Sequence, residues 1–313
     1  MMTHQHPLQR ISDSLFLTDG GLETTLVFHD GMDLPYFAAF DLLKDEAGTA
    51  RLREYYQQYI DLAIEYSMGF ILESVTWRAS ADWGEKMGYS DDALSRVNQR
   101  AITLLHELRE QSQTNTTPMI ISGNVGPRGD GYVPDQLMSA DVAAAYHLPQ
   151  IRSLANAGAD LITALTLPTI EEAIGIVQAS QSVDIPVVIS FTVETDGRLP
   201  SGQPLRTAIE TVDAATSTGP AYYMINCAHP SHFEQVLIGS ESWLARIQGI
   251  RANASCKSHA ELDESDTLDD GNPQELGQQY RTLQTLLPHL SVVGGCCGTD
   301  HRHVEAIAQA CRN

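Results

Sequence analysis

Short apolar runs alternate with longer amphipathic stretches along almost the whole chain. The apolar runs are rich in β-branched residues, which predicts buried strands, whereas the longer stretches repeat apolar residues at helical spacing. The predicted strands cover residues 15–19, 70–74, 119–124, 161–165, 186–191, 222–226, 247–251 and 291–295. The predicted helices cover residues 49–67, 91–111, 139–157, 170–180, 205–218, 232–240, 273–287 and 301–311.

This alternation predicts an α/β fold. Eight strands, each followed by a helix, in a chain of 313 residues indicate a (β/α)8 TIM barrel, although a doubly wound open sheet would give a similar pattern with fewer units. We expect a single domain over residues 1–313, with a core from about residue 15 to residue 310. Segments 196–203 and 252–272 each follow a predicted strand and are rich in turn or acidic residues. We expect both to be long loops at the rim where barrel enzymes build their sites.

Charge and cysteine content narrow the function classes. Forty acidic residues against nineteen basic ones give a formal charge of −21, which disfavours binding to nucleic acid or to an anionic membrane surface. The N-terminal MMTHQHPLQR has no apolar region of a signal peptide, and no apolar run reaches the ~18 residues of a spanning helix. Five cysteines are too few for a disulfide framework, so we expect a cytoplasmic protein with reduced thiols.

Three of these thiols fall where two predicted strands end. Cys296 and Cys297 lie among glycines in GGCCG after strand eight, and Cys227 lies in MINCAHP after strand six. In a barrel both strand ends share one rim, so the three sulfurs can converge on a borderline-soft ion such as Zn²⁺ and leave its fourth position open. The alternative is an inert buried Cys227 and an ordinary small-residue turn. Cys256 and Cys311 lie outside this pattern.

A second candidate feature follows the first strand. Asp19, Gly20 and Gly21 are followed closely by Glu23. Paired glycines can present backbone N–H groups to an anion, and a neighbouring carboxylate can bind an ammonium group. The segment therefore fits recognition of a zwitterion, and it also fits an ordinary turn between a strand and a helix.

Three motifs, in this order and at these separations, resemble one family. DGGLETTL near the start, INCAHP in the middle and GGCCGTD near the end resemble the zinc-dependent homocysteine S-methyltransferases, which include betaine-dependent and S-methylmethionine-dependent enzymes. The resemblance covers the chain from about residue 15 to residue 310. It implies a (β/α)8 barrel that moves a methyl group from a sulfonium or quaternary-ammonium donor to homocysteine and gives methionine.

The resemblance also implies residue roles. The zinc ligands would be Cys227, Cys296 and Cys297, with the homocysteine sulfur as the fourth ligand. Asp19 would hold the amino acid end of the substrate, with Gly20 and Gly21 near its carboxylate.

The chain departs from the family at two places. Leu165 stands where the family usually has a glutamate that contributes to binding the ammonium group. Either Glu194 or Glu23 compensates, or the acceptor is another thiol or a selenol. Trp77, followed by Arg78, occupies the position of a family tyrosine near the methyl donor. We expect Trp77 and Glu194 to bind a cationic donor, through a cation–π contact and a carboxylate, with core packing as the alternative for Trp77.

These observations predict a small-molecule enzyme. Its partners would be a thiol acceptor and a methyl donor, its cofactor Zn²⁺, and neither nucleic acid nor a membrane would be bound. A zinc-binding or thiol-binding sensor without turnover is the alternative from a different class. The long helices could form the contact face of a homodimer.

Overall fold

Eight parallel strands, each hydrogen-bonded to its neighbours in chain order, close into a barrel when the last strand pairs with the first. The protein is described here by a computed structural model, which covers residues 7–134 and 137–312. The predicted (β/α)8 barrel is therefore confirmed, and the open sheet is excluded. The strands are β1 (Phe16–Leu17), β2 (Gly69–Glu73), β3 (Met119–Val125), β4 (Leu161–Leu167), β5 (Val187–Phe191), β6 (Tyr223–Asn226), β7 (Ile247–Ala252) and β8 (Val292–Gly295).

Helices surround the barrel and connect successive strands. The α-helices span Pro7–Asp13, Leu22–Thr24, Glu46–Tyr66, Ala81–Lys86, Asp91–Ser112, Ala140–Asn156, Ile170–Ser182, Leu205–Ala215, Pro230–Phe233, His259–Asp263, Pro273–Leu286 and His301–Cys311. A π-helix spans Thr25–His29, and 3₁₀ turns span Pro35–Phe37, Ala39–Lys44, Glu234–Leu237 and Ser242–Arg246. Within these described ranges, no helix combines the length and the apolar character that a membrane span requires.

The predicted helix over residues 232–240 is wrong in its extent. The structure has a short α-helix, Pro230–Phe233, that continues as the 3₁₀ turn Glu234–Leu237. Proline is well placed in a first helical turn because its missing N–H has no helical acceptor there, so the helix begins at Pro230. The expected homodimer stays a prediction.

The barrel interior is built in two layers of opposite character. Near the N-terminal ends of the strands the inward side chains are apolar, and Ile11 of the helix Pro7–Asp13 packs against this layer. Because side chains alternate along a strand, the next residue that points into the barrel lies two positions further on. At that level the inward side chains are buried but polar. These polar residues are Glu73, Ser122, Thr163, Ser190, Asn226 and Arg251. The barrel is therefore apolar at one end and polar beneath the C-terminal ends of its strands.

The two predicted rim loops follow β5 and β7. After β5 the chain folds back on itself, with the Glu194 N–H donating to the Arg198 carbonyl oxygen at 2.8 Å. After β7 the loop contains a short helix, His259–Asp263, which sequence reasoning missed. Ser258 and Glu261 form a capping box at its start, and His259 is buried.

Candidate metal and substrate site

Three thiols meet at the polar end of the barrel. Cys227 follows the last residue of β6, and Cys296 and Cys297 follow β8. Their Sγ atoms all lie within 4.8 Å of one another, and those of Cys227 and Cys297 are 3.3 Å apart. The structure thus brings together the three residues that the sequence proposed as metal ligands. Three convergent sulfur atoms match the soft donor set that Zn²⁺ accepts, so these residues fit the expected ion.

The strand between them fixes the positions of the two cysteine turns. β7 lies between β6 and β8, and its C-terminal end accepts a hydrogen bond from each turn. The Cys227 N–H donates to the Arg251 carbonyl oxygen at 3.0 Å, and the Cys296 N–H donates to the Ala252 carbonyl oxygen at 2.8 Å. Cys227 adopts a left-handed backbone conformation with φ of 57°, which is strained for a residue with a side chain and is typical of functional sites.

Asn226 holds its side chain against the cluster. Its Oδ1 accepts hydrogen bonds from the Thr166 N–H at 2.8 Å and from the Ser190 hydroxyl at 2.6 Å. Its Nδ2 donates to the Thr166 hydroxyl at 2.8 Å and lies 3.8 Å from the Cys296 Sγ. The amide is thereby oriented with its donor toward sulfur, which favours the thiolate form of Cys296.

Tyr132 and His259 pack over Cys227 from two different rim loops. The Tyr132 hydroxyl lies 2.9 Å from the Cys227 Sγ, and His259 Nε2 lies 2.6 Å from the Cys227 carbonyl oxygen. The two rings are 4.2 Å apart between centroids. Both contacts were missed by sequence reasoning, because neither loop carries a motif that points to the cysteines.

Glu194 lies behind this pair. Its Oε1 is 3.2 Å from His259 Nδ1, so the carboxylate contacts the histidine that supports Cys227. Among the described residues that line the cavity beside the thiols, Glu194 is absent. The structure therefore does not bring Glu194 together with the other predicted substrate residues.

Trp77 lines the cavity, but one face of its ring is already covered by another side chain. The Arg78 guanidinium carbon lies 4.1 Å from the centre of the Trp77 ring and 3.9 Å from that of Trp83. Trp77 Nε1 also donates to the Leu165 carbonyl oxygen at 3.2 Å. Because the Arg78 guanidinium already forms a cation–π contact with this ring, the ring is less available to a cationic methyl donor.

Asp19 follows β1 at the C-terminal rim of the barrel, and both of its carboxylate oxygens accept hydrogen bonds. Arg251 Nη2 donates to Oδ1 at 2.6 Å, and the Tyr55 hydroxyl donates to Oδ2 at 3.1 Å. Burial raises the pKa of Asp19, and the Arg251 guanidinium opposes that rise. Glu23 is half-buried in the same cavity, and burial raises its pKa to about 7.

The two glycines after Asp19 allow the first loop to approach the cysteine turn. A Cβ atom on Gly20 would lie 2.9 Å from the Thr299 carbonyl oxygen, and one on Gly21 would lie 2.6 Å from the Cys296 carbonyl oxygen. The Gly21 N–H donates to the Thr299 carbonyl oxygen at 2.9 Å, so it is not the free anion-binding donor that the sequence indicated. The role of Gly21 here is close packing.

Changing Gly21→Ala should therefore disturb the cysteine turn while leaving the barrel folded. The added methyl group would push the Cys296 backbone away from its hydrogen bond with Ala252, and we expect at least about a 10-fold loss of zinc affinity. Zinc titration against a competing chelator measures the loss, and circular dichroism checks the fold. An unchanged zinc affinity would show that the turn tolerates the methyl group.

Two charged residues of the cavity were missed by sequence reasoning. Glu73 ends β2 and Arg251 lies near the end of β7, and their side chains are 3.8 Å apart between Oε1 and Nη1. Burial raises the pKa of Glu73 to about 7, against the lowering effect of Arg251. The available signal was a charged residue inside an otherwise apolar strand, in FILES and in QGIRA. Such a residue is expensive to bury unless it is paired or functional.

A closed parallel barrel with three thiols clustered at the C-terminal ends of its strands is the architecture of a barrel enzyme, and the thiols form a donor set of the kind that metal ions accept. The chain belongs to the homocysteine S-methyltransferase family, whose sequence profile matches residues 16–311. It is therefore a methyltransferase, and the resemblance read from the three motifs is confirmed.

Individual relatives agree over nearly the whole chain. Homocysteine S-methyltransferase 4 from Zea mays is 24% identical, with 95% of this chain and 89% of the relative covered. Homocysteine S-methyltransferase YbgG from Bacillus subtilis (strain 168) is 24% identical, with 98% of both chains covered. The metallated crystal structure of the homocysteine methyltransferase MmuM from Escherichia coli superposes with a TM-score of 0.74 at 20% identity, covering 97% of this chain and 99% of that one. The structural likeness concerns the fold.

Proposed function

We propose that this protein is a zinc-dependent homocysteine S-methyltransferase that produces methionine. Cys227, Cys296 and Cys297 would hold the ion, and the acceptor thiol would enter the same site. The convergence of the three sulfur atoms within 4.8 Å is the observation that carries the proposal. No cluster of this kind is needed to stabilise a barrel, because thiols at the rim contribute little to a hydrophobic core.

The chemical need is for a deprotonated acceptor. A free thiol with a pKa near 8.5 is mostly protonated at neutral pH, and only its thiolate is a good nucleophile. Zn²⁺ held by the three cysteines would supply this activation, because coordination keeps the acceptor in its thiolate form and the thiol proton is released to solvent. The acceptor thiolate then attacks the methyl carbon of the donor, the bond from that carbon to the donor sulfur or nitrogen breaks, and the donor leaves with its electron pair.

The chain's own residues orient this chemistry. Asn226 directs an amide donor toward Cys296, and Tyr132 covers Cys227 with its hydroxyl 2.9 Å from the sulfur. We infer that Glu194 acts through His259, as a positioning residue for Cys227, rather than by direct contact with substrate or donor.

The donor belongs to a cationic class. Glu23 lines the cavity and the chain carries a net charge of −21, both of which favour a sulfonium or quaternary-ammonium compound over an anionic one. Trp77 would form part of the donor wall by its apolar surface, since Arg78 already lies against its ring. The five free cysteines are consistent with a cytoplasmic, reducing compartment.

Purified protein should contain about one zinc per chain and should form methionine from homocysteine with one cationic donor. Metal content is measured by emission spectroscopy, and methionine by chromatography with S-adenosylmethionine, S-methylmethionine and betaine tried separately. A chelator should abolish product, and added Zn²⁺ should restore it. Full activity of the metal-free protein would contradict the zinc role. Zinc without product from any donor would instead favour a sensor or another acceptor.

A further inference from the structure

Three polar atoms of the cavity lining lack hydrogen-bond partners within the described part of the chain. They are Glu73 Oε2, Asn124 Oδ1 and Arg251 Nη1. Each belongs to a side chain that is buried, with at most 9% of its residue surface exposed. An unsatisfied buried polar group costs about 1–3 kcal/mol, and more when it is charged. Three such atoms around one cavity therefore point to a ligand that satisfies them.

The unsatisfied atoms differ in type. Glu73 Oε2 and Asn124 Oδ1 are acceptors, whereas Arg251 Nη1 is a donor. Asp19, by contrast, has both oxygens engaged, by Arg251 and by Tyr55. Glu73 is thus a fully buried cavity carboxylate with an unpaired oxygen, whereas Glu23 in the same cavity is only half-buried. An α-amino acid carries the complementary pair, an ammonium group with three donors and a carboxylate with acceptors alone.

We propose that Glu73 and Arg251 form the subsite for the amino acid end of the acceptor. Glu73 Oε2, with Asn124 Oδ1, accepts hydrogen bonds from the ammonium group, and Arg251 Nη1 donates to the carboxylate. This subsite deepens the proposed function, because it rests on that function for the sulfur end of the same ligand. Glu73 also supplies the carboxylate that Leu165 lacks, from β2 instead of β4.

The position of Arg251 connects the subsite to the thiols. Its carbonyl oxygen accepts from the Cys227 N–H at 3.0 Å, and its Nε donates to the carbonyl oxygen of Gly295, the residue before Cys296. An amino acid held by Arg251 therefore lies beside both cysteine turns, where its own sulfur can reach the cluster. The zwitterion adds one charge of each sign and leaves the net charge of the cavity unchanged.

Glu73→Gln should remove the preference for an ammonium group. Calorimetry would compare homocysteine with γ-mercaptobutyrate, which is homocysteine without its amino group, in protein with and without added Zn²⁺. We expect the native protein to bind homocysteine about 10- to 100-fold more tightly, the value of one buried charge-assisted hydrogen bond. In Glu73→Gln that ratio should fall to about one, with binding of γ-mercaptobutyrate kept or improved. The variant should fold, because glutamine has nearly the same size and shape as glutamate and keeps one acceptor oxygen at this buried position.

Arg251→Lys tests the other end of the ligand. Lysine keeps the positive charge beside Asp19 but removes the second guanidinium nitrogen. We expect about a 10-fold weaker affinity for homocysteine and an unchanged affinity for homocysteamine, which lacks the carboxylate. Glu172→Gln is the matched control, because Glu172 is a buried glutamate paired with His147, and no part of it lines this cavity. Its ligand preferences should equal those of the native protein.

Equal losses for homocysteine and γ-mercaptobutyrate in Glu73→Gln would overturn the subsite, and Glu73 and Arg251 would then serve only as a structural pair. A native protein that does not discriminate between the two ligands would overturn it as well. Methyl transfer to homocysteine without discrimination would refute the subsite and leave the proposed function standing. Discrimination that Glu73→Gln abolishes, without methionine from any donor, would support the subsite and refute the proposed function.

Discussion

Changing Cys297→Ser should abolish methyl transfer and remove most of the bound zinc while the barrel stays folded. A serine hydroxyl does not ionise at neutral pH and is a poor zinc ligand, so one of the three protein ligands is lost. Because a structural zinc site is worth about 10–16 kcal/mol in total, the loss of one ligand should weaken zinc binding by on the order of 10³-fold or more. Activity at limiting zinc should fall by a similar factor.

The fold should survive because Cys297 is half-buried at the C-terminal rim of the barrel and is not part of the hydrophobic core. Metal content, methionine formation and thermal unfolding by circular dichroism are measured on the same preparation. Cys256→Ser is the matched control, since Cys256 is exposed in the loop after β7 and is not part of the thiol cluster. Cys297→Ser protein with a full complement of zinc and unchanged activity would disprove the role of this cysteine.

The thiol cluster could be anticipated because the topology makes distant strand ends neighbours. Cys227 and Cys296 are far apart in the sequence, but both follow strands of one parallel barrel, and parallel strands place their C-terminal ends on one rim. The strands themselves were recognisable because they are buried on both faces and therefore read as apolar runs. The barrel fold and the convergence of the three cysteines can therefore be predicted from local sequence patterns.

The positions of loop residues, in contrast, cannot be predicted from the ends of the strands. Glu194 lies just beyond β5, and a strand-end argument places it at the cavity. The chain instead folds back through the Glu194–Arg198 hydrogen bond, and the carboxylate reaches His259. The path of a loop depends on tertiary contacts with another loop, and no local pattern in either segment indicates that meeting. The same reason explains why Tyr132 and His259 were missed.

The charged interior pair was missed for a different reason. Glu73 and Arg251 each stand alone in a run of apolar residues, and a single charge hardly weakens the signal of a buried strand. Their pairing joins β2 to β7 across the barrel, so it becomes visible only once the barrel is closed. A charged residue inside a predicted buried strand is therefore itself a functional signal.

This charged cluster leads to the second large effect, a pH-dependent loss of stability in Arg251→Gln. The guanidinium is the counter-charge of Asp19 and lies 3.8 Å from Glu73, so its removal leaves two buried carboxyl groups uncompensated. Removing one partner of a buried ion pair typically costs about 3–5 kcal/mol. We expect a decrease of that size in the free energy of unfolding at about pH 8, measured by urea denaturation.

The sign of the pH dependence follows from the direction of the pKa shifts. Burial raises the pKa of Glu73 from its ordinary value of 4.5 to about 7, so the folded protein binds this proton more tightly than the unfolded chain. The associated stability is fully present below pH 4.5 and is lost as the pH rises through about 7. Burial also raises the pKa of Asp19, and without Arg251 both pKa values should rise further. The destabilisation of Arg251→Gln should therefore be much smaller at about pH 5 than at about pH 8.

The double variant Arg251→Gln with Glu73→Gln separates charge from packing. It removes one of the two uncompensated carboxyl groups, and we expect it to recover part of the lost stability at about pH 8 and little at about pH 5, where the carboxyl groups are largely protonated. If Arg251→Gln were destabilised equally at both pH values and the double variant recovered nothing, the guanidinium would stabilise the barrel by packing alone. The charge pairing of Arg251 with Asp19 and Glu73 would then contribute nothing to folding.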